Sequence, residues 1–561
     1  MFKKTPLLQT DLFKDLTSQL SDRKSAILDN QRSWHNIFFH EVTQRVNESV
    51  FEPLYEKNGR PNASLRVLMG MMILKEGNGW SDQQLFDSCR FDLRCMRALG
   101  LFNIDDDIPV ESTYYEFRRR IFLHHSRYGE DLVSTAFSDA TSDQIKAHNI
   151  KGEKIRMDSK LIQSNIAKGS RLELILETVR VSIVNINLEV LTSVLEAEDM
   201  DLLKSLKTKT TSNISYGLDN KSKADILQRL GVIIRELLPY CDKDGILARL
   251  YQEQYQEVTD NKDEDPDASR KSRPRIEPKK PNHIPSDSLQ SPHDPEASFR
   301  CKGSGQGKKQ VSGFHANLTE TFNEENPFEL ITDVRTVTAN ICEDEFLAPS
   351  IEASNQVLDI EKEGKKTVVH VTTDGGYDSL ENRKQMNSTQ ALHWNVAKHK
   401  GIKQRYHLSI DKDNNLTAYC KKLKKQCEVA ISKKGNCYII HHADGTKRYL
   451  KEDAVKNYLI LQQQMESQDP EDIDIRPNVE ATVHQVFHRL QKRDKIKYRG
   501  IFKCSLYCIS RAYWANFRRI LKNEEENYQI LFSDHFTPIK LFLEQIRRLY
   551  SLRFSDIKLV A

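Results

Sequence analysis

Between about residues 258 and 298 the chain offers almost nothing that can be buried. The run TDNKDEDPDASRKSRPRIEPKKPNHIPSDSLQSPHDPE is Pro, Ser and mixed charge. Such a stretch cannot hide enough apolar surface to offset its ordering entropy, which predicts a linker. The hydrophobic period differs on its two sides: helical before, strand-like after. An α/β protein of several units follows, and 561 residues leave room for two to four. The expected units are a helical N-terminal domain over 1–135, and a strand with a helical insertion over 150–256. A disordered linker over 257–300 and a strand-rich core over 301–394 come next. A small β-rich insertion over 395–450 and C-terminal helices over 451–561 complete the chain.

Composition narrows the class. Hydrophobic residues make up 38% and charged residues 29%, which fits long polar segments beside a sizeable core. The 84 Lys and Arg against 80 Asp and Glu give a formal +4, so any nucleic-acid surface must arise from local clustering. The longest apolar run, VLMGMMIL at 67–74, is far short of the ~20 residues a spanning helix needs. MFKKTPLLQTDLFKDL lacks a continuous apolar stretch and a cleavage site, and the ten cysteines are scattered irregularly. A cytosolic protein with reduced thiols is expected.

In the N-terminal part, Ala63 to Glu76 reads as an apolar helix stopped by Gly77-Asn78-Gly79. Ser81 with Gln84, and Thr113 with Glu116, have the spacing of capping boxes. Arg118, Arg119 and Arg120 then follow, and either a helix-turn-helix-like DNA reader or a bundle with a solvated basic face fits this pattern. Beyond the linker, Gly313–Glu320 and Phe328–Thr338 read as strands, Glu343–Ile360 as a helix and Lys366–Thr373 as a buried strand.

Three acids stand out by position. Asp158 interrupts the extended run IRMDSKLI. Asp374 closes TVVHVTTD at the strand end where ligands of open α/β sheets bind. Glu480 shares a helix face with His484 and Gln491, opposite Val479, Val483, Val486, Phe487 and Leu490. Carboxylates gathered at one point repel, and a divalent cation removes that cost. Oxygen ligands with open water positions suit Mg²⁺. Two ions about 3.5–4 Å apart would serve an in-line displacement at phosphorus.

A basic window follows. From Arg489 to Lys522 there are eleven cations against one acid, Asp494, with Tyr498, Tyr507, Tyr513 and Trp514 interleaved. Basic residues with aromatics suit a nucleic-acid backbone, and a solvated helical face is the alternative.

The segments RMDSKLIQSN, GFHANLTET, VTTDGGYDSLENR and RPNVEATVHQVFHRL…KYRG together resemble the bacterial insertion-sequence DDE transposases. The segment from Arg60 to Leu101 resembles the helical domain preceding their catalytic core. The resemblance implies an RNase H-like mixed sheet flanked by helices. It makes Asp158, Asp374 and Glu480 the catalytic, metal-binding triad, using two Mg²⁺ ions with Mn²⁺ as a substitute. It implies cleavage at the terminal inverted repeats of a mobile element and joining of 3′-hydroxyls to target DNA, by a homodimer or higher oligomer in the cytoplasm at the nucleoid. The resemblance makes Arg476 a candidate contact to the DNA backbone, while the basic window offers Arg489, Lys497, Tyr498 and Arg499, and the N-terminal helices Arg118 and Arg119, as further expected DNA contacts. A nuclease without strand transfer and a catalytically silent DNA-binding relative are the alternatives. Two positions depart from the pattern: Phe487 stands where a Lys is expected, and Ile473 where a Tyr is expected.

Two further motifs read as weak. Gly303 to Lys308 resembles a phosphate-binding loop but has the wrong spacing and follows no buried strand, so a flexible loop is expected. Cys420, Cys427 and Cys437, near His441 and His442, lack the short spacing of zinc sites.

Overall fold

The structure is a computed structural model that describes all residues except 6–14, 104, 259–274, 304–307, 359–369, 389–392, 397–405, 411–414, 433–436, 443–444, 467–475 and 551–561. It is an α/β protein built on a six-stranded mixed sheet, and no described helix is long and apolar enough to cross a membrane.

The N-terminal helices include α1 (Leu65–Asn78), α2 (Asp82–Phe91), α3 (Glu111–Tyr128) and α4 (Leu132–Ala147). Helix α1 is buried nearly all round, as its apolar sequence requires. It stops at Gly79, whose φ of 73° suits a residue without a Cβ. The Ser81–Gln84 capping box forms: the Gln84 N–H donates to Ser81 Oγ at 3.1 Å and the Ser81 N–H to Gln84 Oε1 at 2.9 Å. The expected Thr113–Glu116 box does not. Helix α3 starts at Glu111 after an uncapped Val110, and Arg119 (2.7 Å) and Arg120 (3.0 Å) take the Glu116 carboxylate. Two guanidiniums outbid one backbone N–H.

The main sheet comprises β1 (Lys154–Gln163), β2 (Ser298–Lys302), β3 (Lys309–Thr321), β4 (Ile331–Thr338), β5 (His370–Thr373) and β6 (His393–Val396). Strand β3 is its long, buried spine. It pairs antiparallel with β1 on one side; on the other, β2 takes its first half and β4 its second. Strands β1, β5 and β6 run parallel. The order across the sheet is therefore β4-β3-β1-β5-β6, three antiparallel strands followed by two parallel to the first. Of the expected strand 366–373, residues 366–369 lie outside the described ones. The helix after β4 is a 3₁₀ turn, Glu343–Phe346, running into α5 (Leu347–Val357).

Between β1 and β2 the helices Arg171–Ser182, Asn220–Leu237 and Ile246–Gln254 form a separate apolar cluster. Residues 275–300 correct the expected linker. Arg275–Pro278 forms a strand with Tyr255–Val258, and Leu289, Asp294 and Ala297 are buried. Arg249 donates to the carbonyls of Asp287 and Pro295, both at 2.7 Å. A few well-placed apolar side chains and borrowed hydrogen bonds order a stretch whose average composition argues against it. The β-rich insertion is a five-stranded antiparallel meander from Tyr406 to Lys451. Two helices close the fold, α6 (Arg476–Phe487) and α7 (Ile501–Tyr550); α7 runs past both α1 and β4.

Candidate active site

Sheet register brings two of the acids together. Strands β1 and β5 are parallel neighbours with Arg156 opposite Thr372, and Asp158 and Asp374 each lie two residues further along. Asp158 accepts from the Ser159 N–H at 2.7 Å, and Asp374 Oδ1 from the Gly376 N–H at 2.6 Å. Burial pushes the Asp158 carboxyl up to about 6; the Ser159 N–H and Lys302 oppose this, while Asp374 and Glu343 add to it. Loss of water around the charged form is the main physical cause, and repulsion from the neighbouring carboxylates adds to it.

Glu343, which sequence reasoning missed, belongs to the same cluster. It opens the turn after β4, is buried, and accepts from Ser159 Oγ at 3.2 Å and Lys302 Nζ at 2.8 Å. A Cβ on Gly376 would collide with the carboxyl ends of both Glu343 and Asp374, so a larger residue there would displace these carboxylates. The loop after Asp374 is held rigidly. Tyr377 is fully buried with its hydroxyl on Asn317, Arg383 grips Asp378 in a buried bidentate pair, and Trp394 Nε1 donates to Thr373 Oγ1 at 3.0 Å.

Glu480 arrives from α6. It is exposed and lines a cavity of about 430 Å³ together with Asp158, Ser159, Lys160, His484, Phe487, His488 and Asp494. Helix α6 is fixed by Val486 and Phe487, both buried, and by a polar anchor. Thr482 donates to Glu320 Oε2 at 2.8 Å, and the same carboxylate takes Arg156 Nε at 2.6 Å and Arg519 Nη1 at 2.8 Å. Asp158 and Glu480 thus each stand two residues from a ligand of one buried carboxylate.

The donor set around Asp158 and Asp374 is oxygen-only and crowded, which suits a hard divalent cation. Among the described residues, however, no three His, Cys, Asp or Glu side chains are placed to hold one ion. Glu480 shares the cavity with Asp158 without closing on the pair. In the insertion, Cys420 and Cys427 are buried on adjacent strands and Cys437 Sγ lies 3.6 Å from a carbonyl.

The expected DNA contacts divide. Arg489 is exposed against the Gly79 turn. Arg119 is exposed but paired with Glu116, and Arg118 sits over the Tyr114 ring at 5.6 Å. Lys497 Nζ lies 3.2 Å from Glu76, the Tyr498 hydroxyl bonds the same carboxylate, and Arg499 Nε donates to the Asn165 carbonyl at 2.9 Å. The side chain of Arg476 lies outside the described residues. Further along the window, Tyr507, Tyr513 and Arg511 are buried, so they do not form a surface. Cys504 and Cys508 are buried in the core.

Comparison with known proteins gives one match. Residues 26–120 fit the family model described as Transposase domain (DUF772), which covers much of the N-terminal helical region. No curated protein and no solved structure matches the chain. The family match supports a transposase-family protein.

Proposed function

We propose that this chain is a DNA transposase of the DDE type, with Asp158, Asp374 and Glu480 as its catalytic acids. The observation that carries the reading is that Asp158 and Asp374 sit at equal depth past paired residues of adjacent parallel strands, and that Glu480 lines a cavity together with Asp158. The strand order, three antiparallel followed by two parallel, supports an RNase H-like core.

The three acids would hold two Mg²⁺ ions, or Mn²⁺ in their place, with Asp158 and Asp374 as the nearest pair. Bound there, such ions supply activation of the attacking oxygen and stabilisation of the leaving oxygen at a phosphodiester. The chain's own part is orientation. Asp374 is fixed by the Gly376 N–H and the buried Tyr377 loop, and Glu480 by the Thr482–Glu320 anchor. Double-stranded DNA is the substrate: the element's terminal inverted repeats are cut and their 3′-hydroxyls joined to target DNA. A homodimer or higher oligomer at the nucleoid is the working form.

The test is strand cleavage and joining on end-containing DNA in Mg²⁺. Asp374→Asn should abolish both while DNA binding persists; unchanged cleavage refutes the assignment. A DNA-binding protein without catalysis is the second reading, favoured by Glu480 standing apart from the other two acids. Absence of any nicking by the intact chain, with binding retained, would favour it.

A further inference from the structure

The cavity that Asp158 and Glu480 share also holds a charge arrangement that the catalytic acids do not use. Lys160 stands on β1 two residues after Asp158, so the two alternate onto the same side of the strand. Its Nζ lies 3.0 Å from Asp494 Oδ1, and Lys309 Nζ, at the start of β3, lies 2.7 Å from Asp494 Oδ2. Each oxygen of one carboxylate thus takes one ammonium. Asp494 is also the single acid in the basic window from Arg489 to Lys522.

The backbone goes out of its way to put the carboxylate there. Arg493 and Asp494 both adopt left-handed conformations, with φ of 63° and 57°, in side chains that pay for it with roughly 1 kcal/mol or more each. Hydrogen bonds keep the turn against the end of β1: the Gln491 N–H donates to the Lys495 carbonyl at 2.8 Å and the Ile496 N–H to the Gln163 carbonyl at 2.9 Å. Phe487, which lines the same cavity, brings no charge, although the transposase resemblance calls for a lysine at that position.

The geometry points to Lys160 and Lys309 as a phosphodiester-binding pair at the mouth of the catalytic cavity, with the Asp494 carboxylate occupying the place of the DNA phosphate until DNA arrives. This rests on the transposase reading of the site. A phosphodiester presents two non-bridging oxygens carrying one negative charge, the same donor-accepting face as a carboxylate. DNA binding then exchanges one acceptor for another and leaves both ammonium groups satisfied. The cation missing from the helix at position 487 is supplied from the strands.

The experiment is anisotropy of a fluorescein-labelled duplex oligonucleotide with the full chain in EDTA, so that no cleavage intervenes, across a salt series. Lys160→Gln and Lys309→Gln should each weaken binding several-fold, and together flatten the slope of log K against log salt by about one unit. Asp494→Asn should tighten binding several-fold, because the internal competitor is gone. Lys309 is half exposed, so its variant tests the proposal even if an Asp494 variant unfolds, as a thermal melt would reveal. An unchanged slope in the double lysine variant, or weaker binding by a folded Asp494→Asn, overturns the phosphate pair alone. A wild-type chain that binds no duplex overturns the transposase reading as well.

Discussion

Arg511 holds the carbonyls of Gly77 and Val486 on one guanidinium, at 2.9 and 2.8 Å. Those carbonyls end α1 and α6, where helices leave acceptors unsatisfied and favour positive charge. One buried cation therefore caps the apolar helix α1 of the N-terminal region and the helix that carries Glu480. Replacing it with Met should cost about 3 kcal/mol or more, since several buried acceptors lose their donor at once. Denaturant unfolding measures this. Lys at 511 should rescue only a small part, because an ammonium cannot fork between two helix ends.

Gly77 faces the Trp514 ring across the α1–α7 contact. Alanine in a helix interior normally gains about 1 kcal/mol over glycine. Here the added Cβ would overlap the half-buried indole, and overpacking costs about 1–3 kcal/mol. Gly77→Ala should therefore destabilise, and Trp514→Leu in the same chain should relieve the loss.

Glu320 is the anchor shared by Arg156, Thr482 and Arg519. Glu320→Gln keeps its shape but strands two guanidiniums, so about 3 kcal/mol of stability should go with it. Thr482→Val is milder, about 1 kcal/mol in stability. Its clearer effect falls on Glu480: strand cleavage should drop more than DNA affinity does. Equal losses in both would argue against a positioning role.

The raised Asp158 carboxyl makes a pH statement. Its folded value near 6 exceeds the ordinary 3.8, so the unfolded chain releases this proton first as pH rises. Stability contributed by the protonated form is present below about pH 4 and is lost as pH climbs through 6. Metal-free wild type should thus fall by about 2 kcal/mol relative to Asp158→Asn across that window. Thermal melts of both proteins in EDTA, from pH 4 to 7, check the sign.

Divalent cation should reverse that penalty. At neutral pH, Mg²⁺ at a hundred times its Kd would add about 2.7 kcal/mol to wild-type stability. Asp374→Asn should respond far less in the same melt. An equal response would place the cation elsewhere.

Much of this was legible from residue order. The α1 stop at Gly79, the Ser81 capping box, the strand ending at Asp374 and the β-rich insertion all follow from local pattern. The pairing of Asp158 with Asp374 could be anticipated only in outline, because it depends on the register between β1 and β5, parallel strands joined by no local turn and distant in the chain. The roles of Glu343, Glu320 and Asp494 were not legible for a related reason. Each is an ordinary acid locally and becomes special only through cations brought from distant elements. The linker and the basic window mislead in opposite ways. Composition averages over 275–300 hide Leu289 and Ala297, and charge counting over 489–522 ignores that Arg511 and Arg519 turn inward.

Because Arg511, Trp514 and Arg519 lie along one helix, the N-terminal helices and the main sheet share a single spine. Cutting away the segment that matches the transposase model would uncover Trp514 and leave the Arg511 guanidinium half unpaired in a torn core. Neither half should survive as an independent module, and swapping N-terminal domains between such proteins would require α7 to travel with them.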